Sequence, residues 1–185
     1  LNFEISMQSF FQTNPQSAAL LYQKVIDWVL LENPNATSDH KYIFDLFCGT
    51  GTIAQLIAKQ TNTPIIGVDI VPEAIENAKS NATKNELSNL TFHSANVNNF
   101  LMDYPEYAGK IQTIVLDPPR AGIAKKALKR VLELGAPRIV YVSCNPSTQA
   151  RDTLELKDAG YELKKFTLVD QFPHTSHIES IGLFE

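Results

Sequence analysis

Short runs of apolar residues alternate along the chain with stretches that have the periodicity or the start signals of helices. The apolar runs are rich in Val and Ile, which is typical of strands buried in a sheet. The predicted strands occupy residues 42–46, 64–69, 90–92, 111–117 and 138–142. The predicted helices occupy residues 15–31, 53–59, 72–85, 125–134 and 147–159. Asn14 and Pro15 suit an N-cap and the first helical position, so they mark the start of the first helix.

The order of these elements predicts the fold. Near-continuous apolar strands joined by helices indicate a parallel sheet that is covered on both faces. The last two strands, residues 161–169 and 178–184, have no helix between them and must meet as an antiparallel hairpin at or near one edge. We therefore predict an α/β fold with a doubly wound, mostly parallel seven-stranded sheet and a C-terminal antiparallel hairpin, in one domain over residues 1–185. Ligands of such sheets bind outside the carboxyl ends of the strands, where the strand order reverses.

Composition supports a single folded domain. Apolar residues make up 44% of the 185 residues and charged residues 19%, which is enough to build a core. No apolar run approaches the roughly 20 residues that span a bilayer, and we expect no membrane partner. The chain begins with Leu1 rather than Met, and we expect it to be a piece of a longer protein.

Cysteine usage and net charge narrow the class of protein. Cys48 and Cys144 are far apart and lack metal-ligand spacing, and the four histidines form no zinc signature. This pattern suits a reducing cytoplasm and predicts no metal site. The net charge of −4 argues against RNA binding by this domain alone, because proteins that hold nucleic acid by their own field usually carry a basic excess.

A glycine turn after the first predicted strand indicates a nucleotide site. Gly49 and Gly51 allow a tight turn and a close approach of the backbone to a ligand. Asp69 ends the second strand, where a carboxylate can accept both hydrogen bonds of a ribose diol. Residues 49–54 also satisfy the pattern of dinucleotide-binding folds. Asp45 favours S-adenosylmethionine, because a carboxylate before the turn suits a cationic amino group and would repel a pyrophosphate.

Polar segments at other strand ends are candidates for chemistry. Residues 117–120, Asp-Pro-Pro-Arg, contain two prolines that stiffen the backbone and suit a clamp for a flat base. Cys144 lies just before a predicted helix, whose dipole would lower the thiol pKa and create a nucleophile. Cys48 fits packing in a tight turn. Glu179 lies in an apolar strand and is a candidate general base if it points into the cleft.

Five motifs resemble, in the same order, those of the bacterial RNA uracil-C5 methyltransferases that act on transfer RNA and large-subunit ribosomal RNA. The matching segments are residues 10–14 (FFQTN), 47–52 (FCGTGT), 117–122 (DPPRAG), 143–146 (SCNP) and 172–179 (FPHTSHIE). They extend over nearly the whole chain, so the resemblance rests on their order as well as on their residues.

The resemblance implies a role for each matching residue. The contacts to S-adenosylmethionine would fall on Gln12, Phe47, Gly49, Gly51, Thr52, Asp69, Asn96 and Asp117. Cys144 would be the nucleophile and Glu179 the base, and Asp117 would also act beside the pyrimidine. Two positions depart from the family pattern. Thr52 stands where an Asn is common, and Asn96 stands where an acid often recognises the adenine.

The implied reaction transfers a methyl group from S-adenosylmethionine to C5 of a uridine in RNA, with 23S rRNA favoured over tRNA and S-adenosylhomocysteine as product. The Cys144 thiolate would add to C6 so that C5 becomes nucleophilic, and Glu179 would then remove the C5 proton. Family members carry RNA-binding segments upstream, sometimes with an iron–sulfur cluster, which would explain the acidic charge of this domain. The implied partner is RNA, and we expect a cytoplasmic monomer with no obligate protein partner.

Other interpretations remain open at this point. An RNA cytosine-C5 methyltransferase would normally carry a cysteine beside the motif at residues 117–120, and an exocyclic-amine methyltransferase would show Asn-Pro-Pro-Tyr there. A nicotinamide-dependent oxidoreductase explains only the glycines. A non-catalytic nucleotide-binding module leaves Cys144 and Glu179 without a task. The cations on one side of the helix after residue 120 are either a solvated face or an RNA contact: Lys125, Lys126, Lys129 and Arg130.

Overall fold

The structure is a computed structural model that describes residues 1–3, 14–171, 173–175 and 177–185. Its strands are β1 (Tyr42–Leu46), β2 (Ile65–Asp69), β3 (Leu90–Ser94), β4 (Ile111–Leu116), β5 (Ile139–Ser143), β6 (Leu163–Val169) and β7 (Glu179–Phe184). Its helices are α1 (Pro15–Leu30), α2 (Thr52–Ala58), α3 (Pro72–Lys84), α4 (Val97–Asp103), α5 (Lys125–Glu133) and α6 (Pro146–Asp158), with a 3₁₀ turn at Pro105–Tyr107. Within these described ranges, no helix is long and apolar enough to cross a membrane.

The strands form one sheet in the order β3-β2-β1-β4-β5-β7-β6, which has seven strands within the described residues. Strands β1 to β5 pair in parallel, and β7 lies antiparallel between β5 and β6. This confirms the predicted doubly wound, mostly parallel sheet with its C-terminal antiparallel hairpin. The order reverses at β1, which has β2 on one side and β4 on the other. The ligand crevice of such a sheet therefore opens at the carboxyl ends of β1 and β4.

Helices cover both faces of the sheet, as continuous apolar strands require. Ile43 packs in the core that α1, α2 and α3 share, and its neighbour Phe44 packs in the core that α4, α5 and α6 share. Successive strand residues point to opposite faces, so a run of apolar residues fills both cores at once.

The sequence pattern does not predict α4. This helix has seven residues and a polar start, so its own propensity is weak. It is held instead by tertiary packing, since Phe100 and Leu101 are buried in the core, and by a cap. The side chain of Asn96 accepts a hydrogen bond from the backbone N–H of Asn98 at 3.0 Å.

A buried arginine ties the end of α1 to β7. Arg138 is 1% exposed and donates hydrogen bonds to the carbonyl oxygens of Trp28 (3.2 Å), Glu32 (3.1 Å) and Leu31. Its guanidinium also pairs with the carboxylate of Glu185, which its Nε contacts at 2.8 Å. Helix α1 has no basic residue in its last turn, so Arg138 supplies from another element the cation that its terminal carbonyls favour.

Replacing Arg138 by Met should lower the free energy of unfolding by about 3–5 kcal/mol, because Glu185 and the carbonyls would keep their burial and lose their partner. Urea denaturation measures this loss. The matched control is Arg130→Met, since Arg130 is an exposed arginine whose pairing with Glu133 should contribute at most about 1 kcal/mol. Equal losses in the two variants would contradict the role of Arg138.

Candidate active site

The carboxyl ends of the strands frame a cleft of about 780 Å³. The predicted site residues that line it are Phe47, Gly49, Thr52, Asp69, Asn96, Asp117, Cys144 and Glu179. Gly51 is buried behind this wall. Gln12 lies outside the described residues, as do Phe172 and Ser176 of the last motif. The structure thus brings together in one cleft predicted residues as distant in the chain as Phe47 and Glu179.

The turn between β1 and α2 depends on left-handed backbone. Gly51 has φ 71° and is the N-cap of α2, and a Cβ there would lie 2.5 Å from the ring of Phe92. Only glycine meets both requirements without strain. Gly49 (φ 53°) and Phe47 (φ 65°) adopt the same region, which is uncommon for a phenylalanine and typical of functional turns.

Asp69 is held at the end of β2 by backbone donors. Its Oδ2 accepts from Gly49 N at 2.9 Å and its Oδ1 from Val71 N at 2.9 Å. Each carboxylate oxygen has a second lone pair, so both can still accept from a diol. Ile70 and Val71 beside it are 61% and 47% exposed and line the same cleft. A fixed acceptor next to exposed apolar side chains suits a nucleoside.

Asp45 supplies an acceptor deep in the cleft. It is 1% exposed, and its Oδ2 accepts from Ala54 N at 3.0 Å. Its Oδ1 is buried and has no hydrogen-bond partner among the described residues. Burial, together with the nearby charge of Asp69 and despite the opposing hydrogen bond from Ala54 N, raises the pKa of Asp45 to about 7. A cationic amino group would satisfy the unpartnered oxygen, so the residues present fit S-adenosylmethionine.

The two family departures both lie at helix starts. Thr52 is the first residue of α2, and its Oγ1 lies 3.4 Å from that of Thr50. The Oδ1 of Asn96 is already engaged as the cap of α4. Both residues line the cleft.

The opposite side of the cleft carries two further acids. Glu179 is the first residue of β7, is 4% exposed and faces the cleft. Burial raises its pKa, and the Arg120 guanidinium partly offsets this rise. Burial also raises the pKa of Asp117, and the negative charges of Glu179 and Asp45 add to the shift. Desolvation and the neighbouring carboxylates therefore both favour the neutral form of Asp117.

Cys144 lies between these acids and α6, and its electrostatics differ from the expectation. Burial raises the pKa of the thiol, Glu179 and Asp117 raise it further, and Arg120 lowers it in part. The prediction that the helix dipole lowers this pKa is therefore wrong. Helix α6 begins at Pro146, two residues after the cysteine, and desolvation and two nearby carboxylates raise the thiol pKa overall.

Cys48 has a different environment. Its side chain packs against the core beneath the glycine turn, and burial raises its thiol pKa well above the usual value. These facts match the packing role expected from its position, since an inert buried cysteine behaves as a small hydrophobe.

Hydrogen bonds join the motif segments on the cysteine side. Asn145 Nδ2 donates to the carbonyl oxygen of Arg120 at 3.0 Å. The Thr148 hydroxyl lies 3.3 Å from the same oxygen and 2.9 Å from the carbonyl oxygen of Asn145, so it is shared between the two acceptors. The Arg120 Nη2 lies 3.1 Å from Nδ1 of His177. The segments at residues 117–122, 143–146 and 177–179 are therefore linked around one space. That space offers a thiol, two acids and a guanidinium to a flat polar ligand.

Tyr22 is a cleft residue that the sequence did not single out. It projects from α1 into the same cleft, and burial together with Asp117, Glu179 and Asp45 raises the pKa of its phenol. An aromatic residue on an amphipathic helix is typical of a core position, so no local signal distinguishes it.

Known proteins match this chain over its full length. The family model described as tRNA (Uracil-5-)-methyltransferase matches residues 1–185. An uncharacterised RNA methyltransferase of Clostridium acetobutylicum is 42% identical over 185 residues, which cover 100% of this chain and 38% of that protein. One from Chlorobaculum tepidum is 42% identical over 187 residues, covering 100% of this chain and 37% of that protein.

A solved structure agrees with these relatives. The Pyrococcus abyssi tRNA (uracil-54, C5)-methyltransferase, in complex with S-adenosyl-L-homocysteine, is 33% identical with a TM-score of 0.81. The match covers 99% of this chain and 42% of that chain. The chain spans less than two-fifths of the length of the two curated relatives. On the family match over all of residues 1–185, the chain belongs to the tRNA (uracil-5-)-methyltransferase family.

Proposed function

We propose that the protein containing this chain transfers a methyl group from S-adenosylmethionine to C5 of a uridine in RNA, with residues 1–185 as its catalytic domain. The observation that carries the proposal is the position of Cys144, Glu179 and Asp117 in the cleft that also holds Asp45 and Asp69. The candidate nucleophile and the candidate base thus lie in the same cleft as two further carboxylates. One of these, Asp69, can accept hydrogen bonds from a ribose, and the other, Asp45, has an unpartnered oxygen. Family membership supports the same reaction.

The cofactor side of the cleft has a residue for each part of S-adenosylmethionine. Asp45 would hold the amino group, Asp69 the ribose diol, and Ile70 with Val71 the adenine. The remaining proposed contacts are Gln12, Phe47, Gly49, Gly51, Thr52, Asn96 and Asp117. When bound, the cofactor supplies an electrophilic methyl group, which becomes attached to C5 of the base.

The chain's own residues would perform the remaining steps. Cys144 loses its proton more readily once positive charge enters the cleft, because that charge offsets the nearby carboxylates. The thiolate adds to C6 of the uracil, and the electron pair displaced from the C5–C6 double bond makes C5 nucleophilic. After methylation, the carboxylate of Glu179 removes the C5 proton, the double bond re-forms, and the C6–sulfur bond breaks to return the thiolate.

The substrate base must leave its stack to reach this cleft, because an in-stack pyrimidine cannot present C6 to a half-buried thiol. Asp117 and Arg120 would hold the extruded base by hydrogen bonds and charge. The motif resemblance favours 23S rRNA as the target, whereas the Pyrococcus abyssi protein is named for uracil-54 of tRNA. We keep the cytoplasm as the proposed location, since RNA is the substrate and both cysteines are free thiols.

The target is tested in cells that lack the full-length protein. We expect 5-methyluridine to disappear from 23S rRNA while tRNA keeps its modifications, because 23S rRNA is the proposed substrate. Mass mapping of separately purified 23S rRNA and tRNA measures both. Loss confined to tRNA would reassign the substrate, and unchanged uridine methylation in both RNAs would refute the proposed function.

S-adenosylhomocysteine should bind more weakly as the pH falls through about 7, because its ammonium requires the charged form of Asp45 and burial keeps that acid protonated below this pH. Calorimetry at about pH 5.5 and pH 7.5 should show roughly a 20-fold difference in Kd, following tenfold per pH unit below the pKa. Asp45→Asn should bind weakly at both pH values and lose most of the difference. An Asn variant with the wild-type pH dependence would exclude Asp45 as its source.

Protonation of Asp45 should weaken cofactor binding, but it should stabilise the fold of the domain without cofactor. The unfolded chain ionises Asp45 near its ordinary pKa of 3.8, whereas the folded chain keeps it protonated up to about 7. The contribution of Asp45 to stability is therefore fully present below about pH 4 and is lost as the pH rises to about 7. Thermal melts should show the melting temperature of the wild type falling, relative to that of Asp45→Asn, as the pH rises from about 4 to about 7.

The order of chemical steps is tested with Cys144 and Glu179 in the full-length protein. Cys144→Ala should abolish methylation and leave S-adenosylhomocysteine binding intact, because the thiol is not a proposed cofactor contact. Glu179→Gln should still methylate but fail to eliminate, so a covalent adduct with RNA should survive denaturing gel electrophoresis. Cys48→Ser is the matched control and should form no adduct and keep activity. Full activity in either site variant would refute the role of that residue.

A further inference from the structure

Side chains on one face of α6 and at its N-cap form hydrogen bonds to the loop that follows β4. Asn145 and Thr148 bond to the carbonyl oxygen of Arg120, and the Arg151 guanidinium donates to the carbonyl oxygen of Ala121 at 3.2 Å. Asp152 completes the set, and we name Asn145, Thr148, Arg151 and Asp152 the α6 clamp. Because these residues recur at helical spacing, they lie on one side of α6. The clamp holds residues 120–123 of the loop.

Asp152 is the centre of the α6 clamp. Its Oδ2 accepts from the backbone N–H of Ile123 at 2.9 Å and from the hydroxyl of Tyr141 at 2.7 Å. Its Oδ1 accepts from Nε and Nη2 of Arg151, at 2.8 and 2.6 Å. Asp152 is 2% exposed, so its charge is removed from water and is compensated by these donors.

The loop is shaped to fit against this pair. Gly122 has φ +76°, and a Cβ there would lie 2.5 Å from Nη2 of Arg151 and 2.8 Å from Oδ2 of Asp152. The backbone of the loop therefore lies directly on the ion pair, with no room for a side chain between them. Gly122 and Arg120 also line the cleft, so the contact that fixes the loop lies immediately behind the cleft wall.

The Arg151–Asp152 ion pair is buried only on its acid side, because the Arg151 side chain is half exposed, and a pair that water reaches contributes little to stability. Its directional bonds can instead impose one loop conformation. We propose that Asp152 and Arg151 are positioning residues for the RNA side of the site: they hold residues 120–123 so that the Arg120 guanidinium stays beside Glu179 and Cys144. This inference rests on the proposed function, since it assigns the two residues to the binding of the extruded base.

Within the described residues, the bonds of the α6 clamp reach residues 120–123 on one side of the cleft and the core residue Tyr141. On the other side, Asp45 accepts from Ala54 N, and Asp69 accepts from the backbone N–H groups of Gly49 and Val71. Loosening the clamp should therefore impair the use of RNA and spare the cofactor. If the α6 clamp served only to stabilise the fold, its loss would impair RNA use and cofactor binding together, in step with the loss of overall stability.

The test uses the full-length protein with Asp152→Asn, which keeps the shape and one acceptor oxygen but removes the charge that Arg151 needs. We expect kcat for uridine methylation to fall tenfold to a hundredfold, as displaced catalytic groups usually cause, while the Kd for S-adenosylhomocysteine changes less than threefold. Tyr141→Phe is the matched control, because it removes a donor to the same oxygen without touching the loop. It should lower the melting temperature and keep kcat within threefold. Arg151→Lys should lose less activity than Arg151→Ala.

A second measurement does not depend on the RNA target. Amide hydrogen exchange at Ile123 should be at least tenfold faster in Asp152→Asn than in wild type, because its acceptor is weakened. Unchanged exchange at Ile123 would overturn the inference. So would an equal loss of kcat in Tyr141→Phe and Asp152→Asn when the two variants have the same melting temperature. If wild type methylates no uridine, the proposed function fails. The exchange result then still decides whether the clamp holds the loop.

Discussion

Parallel strand pairing decides where the functional side chains of this chain lie. Strands β1, β2 and β4 run in one direction, so the residues that follow them emerge at the same edge of the sheet. Asp45, Asp69 and Asp117 are distant in sequence and meet for this reason. Strand β7 runs antiparallel to these strands and therefore starts at the edge where they end. Its first residue, Glu179, lies at this edge. The glycine turn and the α6 clamp refine positions that the sheet has already assigned.

This concentration of acids has an electrostatic consequence. Burial in the cleft favours the neutral forms of Asp45, Asp117 and Glu179, and it also raises the pKa of Cys144. The proposed nucleophile Cys144, which needs to be charged to react, thus lies in a cleft that disfavours negative charge. A ligand that brings positive charge into the cleft lowers the pKa values of the acids and of the Cys144 thiol together. The electrostatics therefore favour a cofactor with cationic groups over one with a pyrophosphate.

The sequence predicts most of what is local and little of what depends on distant residues. The Asn14 cap and the C-terminal hairpin follow from spacing and turn residues and are present in the structure, and the strand ends agree to within two residues. Helix α4 escapes prediction because tertiary packing holds it. The direction of the Cys144 pKa escapes prediction because it is set by acids from β4 and β7. The bond from Arg138 to Trp28 joins residues 110 positions apart, which no local pattern reveals.

The position of β7 also affects when the site is complete during synthesis. This strand is the last in chain order, yet it lies inside the sheet between β5 and β6. A nascent chain that has emerged only through α6 can place its glycine turn and its thiol, but it has no strand to carry the proposed base or the partner of Arg138. Among the described strands, β6 joins the sheet through β7 alone, so the proposed base reaches the cleft in the same step that completes the sheet.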